Sequence, residues 1–255
     1  MSTDPYAAFA SFYDGWSSRM TEDIDFYVRR AMEASGPVVE LGAGTGRVSI
    51  PIAEAGRDVI AVDASAAMIA RGRDKAEAAA VADRITWVEA RMQDFVAVPP
   101  VELVMIPFRS FIHLTTTAEQ LAALSGVAAS LVPGGRLALN MFIPDPQVMV
   151  ERARPEPTVE DEFFDERGHR CVMASRSVYE ATTQRLHLTT VNEVFDGDRL
   201  LQRSEAALEA RLVFPVEMEH LLARSGFEVE ALYGWFDERP LTEECREMIW
   251  VARKP

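Results

Sequence analysis

Residues 38–47 read Val38-Val39-Glu40-Leu41-Gly42-Ala43-Gly44-Thr45-Gly46-Arg47, and this stretch decides the fold. An apolar run that ends in closely spaced glycines predicts a buried strand, a tight turn and the start of a helix. Asp63 follows Gly46 by seventeen residues, at the end of a second apolar run. The pattern suits a nucleoside, because glycines allow close approach, the helix N-terminus supplies free N–H groups, and the acid can accept hydrogen bonds from ribose hydroxyls.

The glycine spacing and the residue before it narrow the type of nucleoside. Dinucleotide-binding turns have the spacing Gly-x-Gly-x-x-Gly, with the pyrophosphate at the helix N-terminus. This chain has Gly-x-Gly-x-Gly, preceded by Glu40. A carboxylate there would repel a pyrophosphate and attract a cation, such as the ammonium of a cofactor that carries an amino acid. The sequence therefore favours S-adenosylmethionine over NAD, and a glycine-rich turn without a ligand is the alternative.

Further motifs occur in the order found in one known family. The segment from Tyr13 to Asp145 resembles the class I S-adenosylmethionine-dependent methyltransferases, in the subgroup that methylates small molecules. Beside the glycine turn, the matching motifs are Tyr13-Asp14, Asp23 to Tyr27, Val62 to Ser65 with Met68, Met92 to Phe95, Ile106 to Leu114 and Leu131 to Leu137. The end of the chain from Phe214 onward is also similar. The resemblance implies S-adenosylmethionine as cofactor and S-adenosylhomocysteine as product.

The resemblance also implies roles for individual residues in a cofactor site. Glu40 would lie near the ammonium group and Asp63 would bind the ribose diol, while Met68 would pack around the adenosine or simply belong to the core. Arg91 stands where relatives commonly carry an acid, so the adenine contact would pass to Gln93 or to the backbone of Met92. The full expected set of cofactor-binding residues is Tyr13, Glu40, Gly42, Ala43, Gly44, Asp63, Ala64, Met68, Met92, Gln93 and Pro107.

The residues after the fourth strand are expected to face the acceptor. Ile106-Pro107-Phe108-Arg109 is neither the Asn/Asp-Pro-Pro-Tyr motif of enzymes that methylate nucleobase or amide nitrogens nor a source of magnesium-binding carboxylates. His113 is the candidate acid–base residue, because imidazole titrates near neutral pH, although it could only hydrogen-bond its own loop. Arg109 would bind an acidic substrate group or pair with a carboxylate.

Aromatic residues near the N-terminus are expected to complete the site. Tyr13 is predicted to face the sulfonium through a cation–π contact, or these rings could only anchor a helix. The expected catalytic residues are thus His113 and Tyr13, and the expected substrate-binding residues are Phe108, Arg109, His113 and Trp16.

Alternating apolar runs and helical stretches predict an α/β fold with a doubly wound, mostly parallel seven-stranded sheet of the Rossmann-like methyltransferase type. We expect strands at 38–41, 58–62, 85–89, 101–106, 137–142, 227–233 and 248–252, and helices at 26–32, 48–55, 66–82, 118–131 and 215–224. Residues 151–170 are predicted as a loop, followed by an antiparallel set of strands at 171–179, 186–195 and 200–212 with a hairpin turn at Gly197-Asp198. The expected domains are an N-terminal helical lid (1–35), a cofactor-binding core (36–145 and 213–255) and an antiparallel insertion on the substrate side (146–212).

Composition limits the classes of partner. The formal net charge of −14 argues against a nucleic-acid partner, since such proteins generally need a basic face. With no membrane-spanning apolar run and no signal-peptide pattern, the chain is predicted to be cytoplasmic, without a membrane partner, and Cys171 and Cys245 are expected as free thiols. The four histidines show no metal-ligand spacing, so no metal is expected. We expect a monomer or a homodimer.

These observations predict transfer of a methyl group from S-adenosylmethionine to an N or O atom of a small-molecule acceptor, such as a secondary metabolite or a sugar amine. Two alternatives remain open at this point. One is an S-adenosylmethionine-binding enzyme that transfers no methyl group, of the cyclase or decarboxylase kind. The other is a non-catalytic binding module.

Overall fold

The structure, a computed structural model, describes residues 10–145, 156–165 and 167–255, which form two compact units. The first unit comprises residues 21–143 and 213–255, and the described part of the second comprises residues 10–20, 144–145, 156–165 and 167–212. The helices are α1 (Ala10–Ser17), α2 (Ile24–Glu33), α3 (Ser49–Glu54), α4 (Ala66–Ala78), α5 (Thr117–Ser130) and α6 (Pro215–Arg224). Short 3-10 helices lie at Ala82–Arg84, Met92–Asp94 and Ser110–His113.

The strands are β1 (Val38–Leu41), β2 (Val59–Asp63), β3 (Ile85–Glu89), β4 (Val101–Ile106), β5 (Leu131–Phe142), β6 (Thr158–Phe164), β7 (Arg170–Glu180), β8 (Arg185–Asp196), β9 (Arg199–Arg211), β10 (Glu228–Tyr233) and β11 (Glu247–Arg253). The first unit holds a seven-stranded sheet in the order β10-β11-β5-β4-β1-β2-β3. The five strands from β5 to β3 pair in parallel, and β11 is antiparallel to both β5 and β10. The doubly wound, mostly parallel sheet is therefore confirmed.

Both faces of this sheet are covered, which explains why its central strands are apolar throughout. Alternate residues of β1 enter different hydrophobic clusters, with Val39 and Leu41 on one face and Val38 on the other. Phe26 and Tyr27 of α2 are fully buried in the cluster that contains Val38. The packing of these apolar strands therefore fixes the positions of the carboxyl ends of β1, β2 and β4, where the candidate site lies.

Two predicted boundaries in this unit were wrong by four residues or more, for local reasons, and the others differ by at most two residues. The helix expected to reach residue 82 ends at Ala78, and Ala80 then adopts a positive φ of 56°, which no α-helix continues. β5 begins at Leu131, six residues before the expected start, because Leu131 pairs with Val101 in β4. Helix α5 accordingly ends at Ser130.

The second unit holds a four-stranded antiparallel sheet in the order β6-β7-β8-β9. Residues Gly197 and Asp198 form the turn between β8 and β9, as predicted. The loop expected at 151–170 was wrong in part, because Thr158–Phe164 forms the edge strand β6; residues 151–155 and 166 lie outside the described residues. Only Phe163 of β6 is buried, so the strand lacks the apolar pattern that would reveal it.

Helix α1 belongs to the second unit, whereas α2 belongs to the first. The rings of Phe12 and Phe163 meet edge to face with centroids 5.0 Å apart, and Cys171 and Met173 of β7 complete this cluster. The segment predicted as one N-terminal lid therefore falls on both units, and its residues 1–9 lie outside the described residues. Cys171 and Cys245 are free thiols, as expected.

Candidate active site

The glycine turn after β1 is tied to β2 by its own backbone. The N–H groups of Gly42 and Ala43 donate to the carbonyl of Val62 across 2.8 and 3.0 Å. Gly42 has a φ of +76°, and a Cβ added there would lie 2.6 Å from the Cβ of Ser110, so only glycine fits. The amides of these two turn residues are thus used within the protein, whereas the prediction of free N–H groups concerns the N-terminus of the following helix. At Gly42 the turn therefore offers close approach to its backbone, while the Gly42 and Ala43 amides serve to hold it to β2.

Glu40 lies beneath this turn and is only 2% exposed. Ser49 Oγ donates a short hydrogen bond to Glu40 Oε2. Burial raises the pKa of the Glu40 carboxyl to about 8, against the opposing effects of the Ser49 hydrogen bond and the charge of Arg47. A cation placed beside this carboxyl would favour its ionised form, because opposite charges stabilise each other. The buried acid therefore fits the ammonium group of an amino-acid-bearing cofactor.

Asp63 joins the tip of β2 to the glycine turn. Its Oδ2 accepts from the Gly44 N–H across 2.7 Å, and its Oδ1 accepts from the Ser65 N–H across 2.8 Å. The Ser65 side chain caps α4 by accepting from the Met68 N–H across 3.2 Å. Met68 is buried, whereas Ala64 is exposed. These contacts hold the Asp63 carboxylate beside the glycine turn, where ribose hydroxyls would donate to it.

The region expected to contact adenine is the 3-10 helix Met92–Asp94. Met92 and Gln93 are half-buried there. Arg91 is exposed, and its Nε donates to Asp94 Oδ2 across 2.6 Å, which raises the pKa of the Arg91 guanidinium. The arginine that departs from the family pattern is thus paired with its own neighbour, and Asp94 serves as its partner.

The turn after β4 carries the residues expected to face the acceptor. Pro107 is buried, Phe108 and Arg109 both have positive φ values of 53° and 67°, and His113 is exposed at the end of the 3-10 helix Ser110–His113. Arg109 Nε donates to Glu247 Oε1 across 2.7 Å. Of the two roles considered for Arg109, the structure shows the pairing with a carboxylate.

The structure brings most of the predicted site residues to one sheet edge, at the carboxyl ends of β1, β2, β3 and β4. Tyr13 and Trp16 lie on α1 in the second unit, with ring centroids 6.0 Å apart. Asp23 and Arg47 lie in motifs of the sequence analysis but were given no role there, and Glu247 was not noted; all three pair with or stack on residues of this edge. The signals were the motifs that contain Asp23 and Arg47, and the acid Glu247 at the start of an apolar strand.

Two general properties of the described chain bear on the chemistry. No group of three or more His, Cys, Asp or Glu is placed to hold a metal ion within residues 10–145, 156–165 and 167–255. In the same ranges, no helix has the length and apolar character needed to cross a membrane.

A doubly wound sheet with a glycine turn after its first strand and an acid at the tip of its second is the arrangement found in nucleoside-binding proteins of the Rossmann-like class. Residues 38–135 match the family described as a methyltransferase domain. A cypemycin N-terminal methyltransferase from Streptomyces sp. is 27% identical over 217 residues, which cover 85% of this chain and 82% of that protein. A tRNA 5-carboxymethoxyuridine methyltransferase from Escherichia coli (strain K12) is 32% identical over 127 residues, covering 48% of this chain and 46% of that protein.

Two solved structures share the fold over nearly the whole chain. An S-adenosylmethionine-dependent methyltransferase from Clostridium acetobutylicum ATCC 824 has a TM-score of 0.80 at 14% identity, covering 98% of this chain and 99% of the other. An amino pentose methyltransferase from Micromonospora echinaspora, solved with S-adenosylmethionine bound, has a TM-score of 0.71 at 20% identity, covering 96% and 97%. Residues 38–135 therefore match a methyltransferase domain, and the whole chain shares the fold of these S-adenosylmethionine-dependent methyltransferases.

Proposed function

We propose that this methyltransferase transfers the methyl group of S-adenosylmethionine to an amine or hydroxyl of a small molecule. The observation that carries the proposal is the composition of the turn after β4. It carries the half-buried ring of Phe108, which has the Arg47 guanidinium over one face, and the exposed imidazole of His113, while its one guanidinium, Arg109, is paired with Glu247. Such a turn suits a compact neutral or cationic acceptor better than a polyanion.

The donor site is proposed to use the residues at the ends of β1, β2 and β3. Glu40 would bind the ammonium group and Asp63 the ribose hydroxyls. The backbone of Gly42, Ala43 and Gly44 would lie against the bound cofactor. Ala64, Met68, Met92 and Gln93 would surround the adenosine, and Pro107 would close the site. When bound, S-adenosylmethionine supplies a methyl group on a sulfonium that is already a good leaving group, so these residues act mainly by position and orientation.

The acceptor side is proposed to use His113 and the aromatic residues. His113 would take the proton that an attacking amine or hydroxyl loses, since an imidazole is suited to that task near neutral pH. Phe108 and Trp16 would contact the acceptor, and Tyr13 would face the sulfonium, where a ring stabilises a cation. A hydroxyl acceptor would need the base more than an amine would.

Amines are the acceptors that the comparisons favour. One relative is an N-terminal methyltransferase and a structural neighbour is an amino pentose methyltransferase, so the first acts at an N-terminus and the second on an amino sugar; both match most of this chain. The tRNA methyltransferase matches only 48% of this chain. The net charge of −14 also opposes a tRNA acceptor, because phosphate contacts require basic side chains.

The test is a methyl-transfer assay with isotopically labelled S-adenosylmethionine and four acceptor classes: aminopentoses and aminohexoses, peptides with free N-termini, phenols, and bulk tRNA. Mass spectrometry would locate the label and quantify S-adenosylhomocysteine. We expect label on the nitrogen or oxygen of a small acceptor. Transfer to tRNA alone, or to carbon alone, would contradict the proposal.

A further inference from the structure

Two consecutive residues in the turn after β4 adopt a backbone conformation that non-glycine residues avoid. Phe108 and Arg109 have φ values of 53° and 67°. Side chains in this left-handed region are strained and persist only where the surroundings hold them. Hydrogen bonds from Ser110 N–H to the Pro107 carbonyl (3.1 Å) and from Ile112 N–H to the Arg109 carbonyl (3.0 Å) continue the turn into the 3-10 helix.

Arg109 is held by a chain of buried polar groups. Its Nε donates to Glu247 Oε1 across 2.7 Å, and the other carboxylate oxygen accepts from Asn140 Nδ2 across 3.0 Å. Asn140 Oδ1 in turn accepts from the Tyr27 hydroxyl across 2.8 Å. The Glu247 side chain is 3% exposed, and burial raises the pKa of Tyr27, so a neutral phenol donates. Both oxygens of Glu247 therefore have fixed partners.

Phe108 is held by Arg47, and Arg47 is in turn held by a second buried acid, Asp23. The Arg47 guanidinium carbon lies 4.1 Å from the centre of the Phe108 ring, and Arg47 Nη1 donates to Asp23 Oδ1 across 2.7 Å. A second bond joins Arg47 Nη2 to Asp23 Oδ2, so the pair is bidentate. Asp23 precedes α2 in the N-cap position, yet its side chain makes no cap hydrogen bond there. Its carboxylate is used for Arg47 instead.

These two chains of contacts meet in α2. The Tyr27 N–H donates to the Asp23 carbonyl across 3.2 Å, so the acid that holds Arg47 and the phenol that ends the Glu247 chain lie one helical turn apart. Arg47 directly follows Gly46 of the glycine turn. The turn after β4, the glycine turn and α2 are thus linked by one closed set of contacts, which we call the polar ring (Asp23, Tyr27, Arg47, Arg109, Asn140 and Glu247).

We propose that Asp23 and Glu247 are positioning residues for methyl transfer, each holding an arginine that fixes one residue of the strained Phe108–Arg109 turn. The two acids balance the two arginines: Asp23 and Arg47 are both buried, at 5% and 8% exposure, whereas Glu247 is 3% and Arg109 43% exposed. Asp23→Asn would leave the buried charge of Arg47 uncompensated, and Glu247→Gln would remove the charged anchor of the partly exposed Arg109, whereas fully exposed pairs contribute little. The expected effect on methyl transfer rests on the proposed function, whereas the expected effect on the conformation of the Phe108–Arg109 turn does not.

The test compares Glu247→Gln and Asp23→Asn with the control Glu230→Gln, which alters the exposed pair of Arg136 and Glu230 in the same sheet. Hydrogen exchange of the Ser110 and Ile112 amides needs neither cofactor nor acceptor. We expect it to accelerate roughly tenfold or more in both variants, with amides of β1 unchanged and no effect in the control. With an acceptor identified, kcat should fall about tenfold while the Kd for S-adenosylhomocysteine stays near the wild-type value.

A rescue experiment separates positioning from general stability. Glycine adopts positive φ at no steric cost, so Arg109→Gly in the Glu247→Gln background should restore slow exchange and most of kcat. Should Glu247→Gln fold poorly, Arg109→Lys tests the same contact from its partly exposed partner, since lysine lacks the planar fork. Unchanged exchange in the folded Glu247→Gln variant overturns the proposal. A double variant as inactive as Glu247→Gln also overturns it and favours Arg109 as a direct substrate contact.

Discussion

The backbone N–H of Gly44 donates to the carboxylate of Asp63 across 2.7 Å, so the acid at the tip of β2 holds the glycine turn that follows β1. The other carboxylate oxygen accepts from the Ser65 N–H across 2.8 Å, at the start of α4. One side chain therefore fixes two backbone segments of the proposed donor site. Its loss should disturb both the ribose contact and the shape of the turn.

Asp63→Ala is expected to weaken binding of S-adenosylhomocysteine by roughly tenfold to a hundredfold, because hydrogen bonds to a charged group contribute about 1.5–3 kcal/mol. Isothermal titration calorimetry measures this directly. Asp58→Ala is the matched control, since Asp58 is exposed just before the same strand and pairs with Arg84. Wild-type affinity in Asp63→Ala would exclude the ribose role.

The raised pKa of Glu40 predicts a pH dependence of stability. Its pKa is about 8 in the folded protein and near 4.5 as the reference value, so the folded state binds more protons between these values. The contribution of this group to stability is thus complete below about pH 4.5 and is lost as pH rises through about 8. Glu40→Gln removes this dependence and should gain stability relative to wild type between pH 6 and pH 9.

Chemical denaturation at several pH values measures that difference. Comparison of variant with wild type cancels the titration of all other groups. Glu54→Gln is the control, because Glu54 is exposed at the end of α3. A difference between wild type and Glu40→Gln that is constant with pH would show that Glu40 is already ionised in the free protein.

The central strands could be predicted from the sequence because burial on both faces makes them apolar throughout. β1, β3 and β4 have the expected bounds, and the glycine turn with its two acids is a local signal within 24 residues. Edge strand β6 could not be found in this way, because it carries Glu160, Asp161 and Glu162 in succession. An exposed edge needs no apolar pattern, and charges there discourage pairing with other chains.

The polar ring was beyond sequence reasoning for a different reason. Arg109 and Glu247 are 138 residues apart, and Arg47 and Asp23 lie in two separate motifs with β1 between them, so no single motif contains either pair. The first pairing depends on β11 lying beside β5 in the sheet. The second depends on α2 packing in the hydrophobic cluster on one face of that sheet. Only the assembled fold brings these residues together.

His113→Ala is expected to lower kcat by about a hundredfold if its imidazole takes the proton from the acceptor, the lower end of the usual effect of a general base. The affinity for S-adenosylhomocysteine should not change, because the proposed donor contacts remain. Steady-state kinetics and calorimetry on the same preparations measure both quantities. His220→Ala on α6 is the control. A kcat near the wild-type value in His113→Ala would contradict the general-base role and leave His113 with a structural role in its own loop.

Gly72 in α4 packs directly against Trp87 of β3. A Cβ added at Gly72 would lie 2.8 Å from both Cζ2 and Cζ3 of the indole, closer than real Cβ atoms approach. Alanine favours helices over glycine by about 1 kcal/mol, but overpacking a filled site costs about 1–3 kcal/mol. We therefore expect Gly72→Ala to lower Tm by a few degrees in a thermal melt.

A double-mutant cycle tests the cause of that loss. Trp87→Leu removes the ring that the new methyl group would meet, so Gly72→Ala should destabilise the Trp87→Leu background less than it destabilises wild type. Gly36→Ala is the control, because a Cβ there meets nothing within 4 Å. Equal losses in both backgrounds would locate the strain elsewhere, since the indole would then have no part in requiring glycine at this position.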